Sequence, residues 1–152
     1  MKYLCLDISS ISTGFAIFKQ NGSLLDIGRI MPNQQSHPLT RLTYVVSQII
    51  KKFNNVSELI IEDVYLGKNV KTLIYLSKIA GAVIYEWIEM TTKFPIFYNP
   101  AFARSTIGLK GNCNKIDVQL YVLQKYKGAS SKMINKFKKQ IEIIRNDKNL
   151  SA

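Results

Sequence analysis

The chain has 152 residues, of which 47% are hydrophobic and 20% charged, a balance that excludes a disordered chain and supports one domain with a full core. No apolar run reaches eighteen residues and the N-terminus lacks a secretory layout, so the expectation is a cytoplasmic protein without a membrane span. The net charge of +11 is uneven: residues 1–63 carry six Lys/Arg against five Asp/Glu, and residues 64–152 carry fifteen against five, which points to a polyanionic partner such as nucleic acid.

In chain order, Lys2–Ser9 reads as a strand built on Tyr3, Leu4, Cys5 and Leu6. Cys5 and Cys113 have no metal-ligand spacing, so the expectation is reduced thiols, with Cys5 in the core. Gly14–Lys19 reads as a second strand, Asn21-Gly22 as a hairpin turn, and Ser23–Ile30 as a third strand, so the chain opens with an antiparallel meander. Met31–Pro38 is polar and turn-rich. Thr40–Phe53 has apolar residues at 42, 45, 46, 49, 50 and 53, which is helical spacing. Glu58–Asp63 is a short strand ending in two acids. Asn69–Met90 predicts a long helix with Leu73, Leu76, Ile79, Ala80 and Val83 on one face. Phe94–Tyr98 is a fifth strand, and Pro100 begins a connection. Lys115–Tyr126 and the basic stretch Ser130–Arg145 read as two further helices. Three antiparallel strands followed by alternating helix and strand predict an α/β fold: a mixed five-stranded sheet with helices on both faces.

Two carboxylates stand out. Asp7 closes Y-L-C-L-D and Glu62 closes L-I-I-E. If the first and fourth strands are parallel neighbours, both acids emerge at one end of the sheet. Like charges that close repel unless a cation lies between them. Carboxylate oxygens suit Mg²⁺, with Mn²⁺ as a plausible substitute, and such ions accept phosphate oxygens as remaining ligands. The bland reading is a pair of solvated strand ends. Ser9, Ser10, Ser12 and Thr13 follow Asp7; their hydroxyls and turn amides suit phosphate, and equally suit an ordinary turn.

These stretches resemble a known family. I-E-D-V-Y-L-G-K-N, Ile61 to Asn69, is similar to the second motif of the RuvC-type Holliday-junction resolvases: a strand-end glutamate, an aromatic three residues on, then Lys-Asn opening a helix. D-I-S-S-I-S-T-G-F-A, Asp7 to Ala16, resembles the first motif, and Tyr98 to Lys115 resembles the family's basic, glycine-containing segment. The likeness runs from residue 1 to about 127 and is greatest to the phage-borne branch.

The resemblance implies an RNase H-like fold and a homodimeric, Mg²⁺-dependent endonuclease that nicks branched DNA in the cytoplasm of a bacterial cell. Asp7 and Glu62 would be catalytic metal ligands. Tyr65 would stack on bases, and Ser9, Ser10, Lys68, Asn69, Arg104, Lys110 and Lys115 would contact DNA. The family closes with two aspartates on a final helix; this chain offers only Asp147 near its end, an imperfect third ligand. The expectation is therefore a single nuclease domain over residues 1–152 that lacks the last acidic helix. The alternative is a branched-DNA-binding protein with little or no catalysis. An actin-like phosphotransferase shares the first motif but needs two lobes, and a nuclease acting on folded RNA is a further reading.

Overall fold

The computed structural model describes residues 1–63 and 69–126. The chain divides into two compact units, Met1–Pro100 and a second beginning at Ala101.

The first unit opens with β1 (Lys2–Asp7), β2 (Thr13–Lys19) and β3 (Leu24–Ile30), paired antiparallel in sequence order. The turn at Asn21-Gly22 works as its residues suggest. Gly22 takes φ +80°, a conformation that costs glycine least, and the Ser23 amide donates to Asn21 Oδ1 at 3.1 Å. Helix α1 (Pro38–Ile50) starts two residues earlier than its apolar period, because Pro38 suits a first helical turn and His37 Nδ1 accepts from the Leu39 amide at 3.3 Å.

Strand β4 (Glu58–Glu62) then runs parallel to β1, and α2 (Val70–Thr91) leads to β5 (Ile96–Tyr98), parallel to β4. The sheet order is β3-β2-β1-β4-β5. The crossovers through α1 and α2 step in the same direction along that order. The right-handed rule therefore puts both helices on one face.

The core agrees. Leu4, Leu6, Leu59 and Ile61, the inward residues of the two central strands, are buried with Val45 and Ile49 of α1 and with Ile79, Val83 and Trp87 of α2. Trp87 meets Phe53 edge to face, with ring centroids 5.1 Å apart. Phe15 of β2 lies over its cross-strand partner Gly28; a Cβ at residue 28 would stand 2.6 Å from the Phe15 ring, so that position needs glycine.

After β5, α3 (Pro100–Thr106) corrects the expectation of a plain connection after Tyr98. Pro100 opens this helix, and the Ser105 and Thr106 hydroxyls both donate to the Phe102 carbonyl, at 2.8 and 2.9 Å. Its seven residues bury no side chain, so no apolar period announces it. Helix α4 (Lys115–Lys125) matches the expected element and is capped by Asn114, whose Oδ1 accepts from the Asp117 amide at 3.0 Å. The helix expected over 130–145 lies outside the described residues. Among those described, no helix is long and apolar enough to cross a membrane.

Candidate active site

Side chains alternate across a strand, so the buried run Leu4–Leu6 and Leu59–Ile61 sends the next residue of each strand to the opposite face. Those residues are Asp7 and Glu62, and both are exposed. The parallel register pairs Leu4 with Leu59, Cys5 with Ile60 and Leu6 with Ile61. Asp7 and Glu62 are the next step, at the ends of adjacent strands, which lie about 4.8 Å apart in any sheet. The expected juxtaposition is what the fold produces.

The neighbouring strands complete a row across this face. Asp7 stands opposite Gly14, Gly14 opposite Arg29, and Glu62 opposite Tyr98. Gly14 leaves the flank of Asp7 without a side chain; a Cβ there would lie 3.8 Å from Asp7 Cβ, an ordinary contact. Arg29 was not marked by any motif, and only the β2–β3 register brings it into this row. Asp63 has left the row, and its amide donates to the Tyr98 carbonyl at 2.9 Å.

The turn after Asp7 is braced from within. Thr13 is fully buried, and its Oγ1 accepts from the Ser9 amide at 3.4 Å and donates to the Ser9 carbonyl at 3.3 Å. Ser9 Oγ accepts from the Ile11 amide at 3.4 Å. Ser9 therefore shapes the turn, while Ser10 is a half-buried member of it. Cys5, two residues before Asp7 on the same face, has its thiol pushed up to about 11 by burial. It is a neutral thiol near neutral pH.

The other sequence candidates fall in three groups. Tyr65, Lys68 and Asp147 lie outside the described residues. Asn69 caps α2: its Oδ1 accepts from the Lys71 and Thr72 amides at 3.0 and 3.2 Å. Arg104, Lys110 and Lys115 belong to the second unit. There Arg104 Nη1 donates to the Gly111 carbonyl at 3.1 Å, tying down the loop that carries Lys110, and Lys115 is the first residue of α4.

No group of three or more His, Cys, Asp or Glu side chains suited to a metal occurs among the described residues. What the site offers is two carboxylates side by side, close to hydroxyls and turn amides. An all-oxygen donor set of this kind fits a hard divalent cation that fills its remaining positions with water and phosphate oxygens.

Comparison with known proteins agrees with this geometry. Residues 3–133 match the family model of the crossover junction endodeoxyribonuclease RuvC. The chain is 28% identical over 127 residues to the crossover junction endodeoxyribonuclease RuvC of Campylobacter lari, covering 80% of this chain and 79% of that protein. It is also 28% identical over 127 residues to the protein of the same name from Campylobacter jejuni, with the same shares covered. Among solved structures, Thermus thermophilus RuvC superposes with a TM-score of 0.69 at 15% identity, over 86% of this chain and 83% of that one. The T. thermophilus protein in complex with a Holliday junction substrate gives a TM-score of 0.67 at 13% identity, over 82% of this chain and 77% of that one. The chain belongs to the RuvC family of crossover junction endodeoxyribonucleases.

Proposed function

We propose that Asp7 and Glu62 hold a divalent cation, Mg²⁺ or Mn²⁺, against the phosphodiester of a branched DNA strand. The activity is that of the family: a Holliday-junction resolving endonuclease. The observation that supports these residue roles is the parallel β1–β4 register, which sets two exposed carboxylates side by side at one end of the sheet.

The ion would supply Lewis-acid stabilisation of the phosphoryl oxygens and favour deprotonation of the attacking water. The protein's part is to hold that charge in place. Asp7 and Glu62 sit at the ends of the two most buried strands, so the core fixes their separation. The Ser9–Thr13 turn, braced by Thr13, would offer Ser10 and turn amides to a phosphate oxygen.

Tyr65 would stack on bases beside the cut, and Lys68, Arg104, Lys110 and Lys115 would hold the backbone by charge. Asn69 contributes by fixing the start of α2 just after the motif that carries Tyr65. Asp147 is the candidate for a third metal ligand. The working form would be a homodimer in the bacterial cytoplasm, one site for each of the two equivalent strands of a four-way junction.

The test is Asp7→Asn. Cutting of a labelled four-way junction should fall at least 100-fold while binding stays within about threefold, the pattern of a group that acts on the transition state. Full cutting by Asp7→Asn would remove Asp7 from the mechanism.

A further inference from the structure

The loop between β3 and α1 and the first turns of α1 enclose a cleft of about 310 Å³, lined by Asn33, Ser36, Thr40, Arg41 and Tyr44 among others. It lies at the sheet end that carries Asp7, because β3 ends at Ile30, which pairs with Thr13, one register step from the Gly14–Asp7 pair.

Arg41 is the unusual member. Its Nη1 donates to Gln34 Oε1 at 2.8 Å, and its guanidinium lies 5.8 Å from the centroid of the Tyr75 ring. Its Nε is buried and has no acceptor. Among the described residues the ion pairs are Lys52–Asp26 and Lys93–Glu58, and Arg41 has no carboxylate. A guanidinium on the wall of a cleft with no counter-ion is an electrostatic deficit that an anion in the cleft relieves.

The rest of the lining mixes the apolar Met31 and Pro32 with groups that can donate to an anion. Asn33 spends its Oδ1 on the Gln35 amide at 3.0 Å, which leaves its NH₂ to donate. Ser36 and Thr40 add hydroxyls, and Tyr44 adds a phenol. Gln34 links the cleft to the proposed catalytic turn: the same side chain that holds Arg41 donates from Nε2 to the Ile11 carbonyl at 3.4 Å.

We propose that this cleft is a second phosphate site, in which Arg41 holds a backbone phosphodiester of the strand being cut, away from the scissile one. It rests on the reading of Asp7 and Glu62 as the cutting site, and it adds an anchor on the nearly neutral half of the chain, where charge counting points to none. A guanidinium without a carboxylate partner suits phosphate, and Gln34 couples its position to the turn after Asp7.

Two variants test it. Arg41→Gln removes the charge. Tyr44→Glu places a carboxylate one helical turn from Arg41 at an exposed position of the same cleft, supplying the anion internally. Binding of a labelled four-way junction is measured with Ca²⁺ in place of Mg²⁺ over a salt series, with thermal melting as the folding control. Each variant should bind about tenfold more weakly, with the slope of log K against log salt reduced by about 0.9, one phosphate contact. Tyr44→Glu should melt at or above the parent's temperature. Parent-like affinity and slope in both folded variants would overturn the second site. That result would leave the roles of Asp7 and Glu62 intact, since they are judged by cutting.

Discussion

Thr13 shows how one buried hydroxyl supports a site it does not enter. It is fully buried, and its Oγ1 both accepts from and donates to the backbone of Ser9. Thr13→Val keeps the shape and removes both bonds, so stability should fall by about 1–2 kcal/mol in urea titrations. Cutting should fall further than binding, because the turn beside Asp7 loosens. Cys5 gives a second check. A thiol raised from 9.0 to about 11 carries about 100-fold less thiolate at pH 8 than an unperturbed one, so peptide mapping after alkylation should find Cys5 slow to react. The sign for stability follows. The folded thiol keeps its proton after the unfolded one has lost it, so this contribution is present below pH 9 and is lost as pH rises towards 11. At this scale the sequence was legible for Asp7 and Glu62, because a charge closing an apolar strand stands out. It was silent for Arg29 and Arg41, whose significance depends on a cross-strand register and on a loop folded back against a helix.

Elements place these residues, and helix α2 shows how. Asn69 was marked as a DNA contact from the Lys-Asn pair, yet its side chain accepts from two α2 amides. Asn69→Ala should cost about 1 kcal/mol, the usual value of a lost cap, while Asn69→Asp should restore stability, both read by urea unfolding. Junction affinity of Asn69→Asp separates the two roles: a pure cap leaves it unchanged, and a phosphate contact weakens it. The five strands and the two long helices were readable because their apolar periods are strong and each boundary carries a turn or cap residue. Helix α3 was not, since it has seven residues and no buried side chain. Gly28 carried no signal either. Its need appears only when Phe15 pairs across it, and Gly28→Ala should cost about 1–3 kcal/mol by forcing the buried ring aside.

For the whole molecule, the charge is +11, with most of the excess beyond residue 63. Binding to DNA should therefore be strongly salt-dependent, with several phosphates neutralised and the slope set mainly by the basic part of the chain. The order of the sheet explains how two carboxylates far apart in sequence come together: the crossovers to β4 and β5 step the same way, so β4 arrives beside β1 and both acids finish at one end. What charge and fold do not reveal by themselves is which nucleic-acid shape is cut, and that rests on family membership. The most direct measurement is a Mg²⁺ and Mn²⁺ titration of four-way-junction cutting by the parent and by Glu62→Gln, with binding followed in parallel. If Asp7 and Glu62 hold the ion, the parent cuts with saturable metal dependence, and Glu62→Gln binds normally but cuts at least 100-fold more slowly or only at much higher metal concentration. Equal cutting by both at equal metal concentration would contradict it.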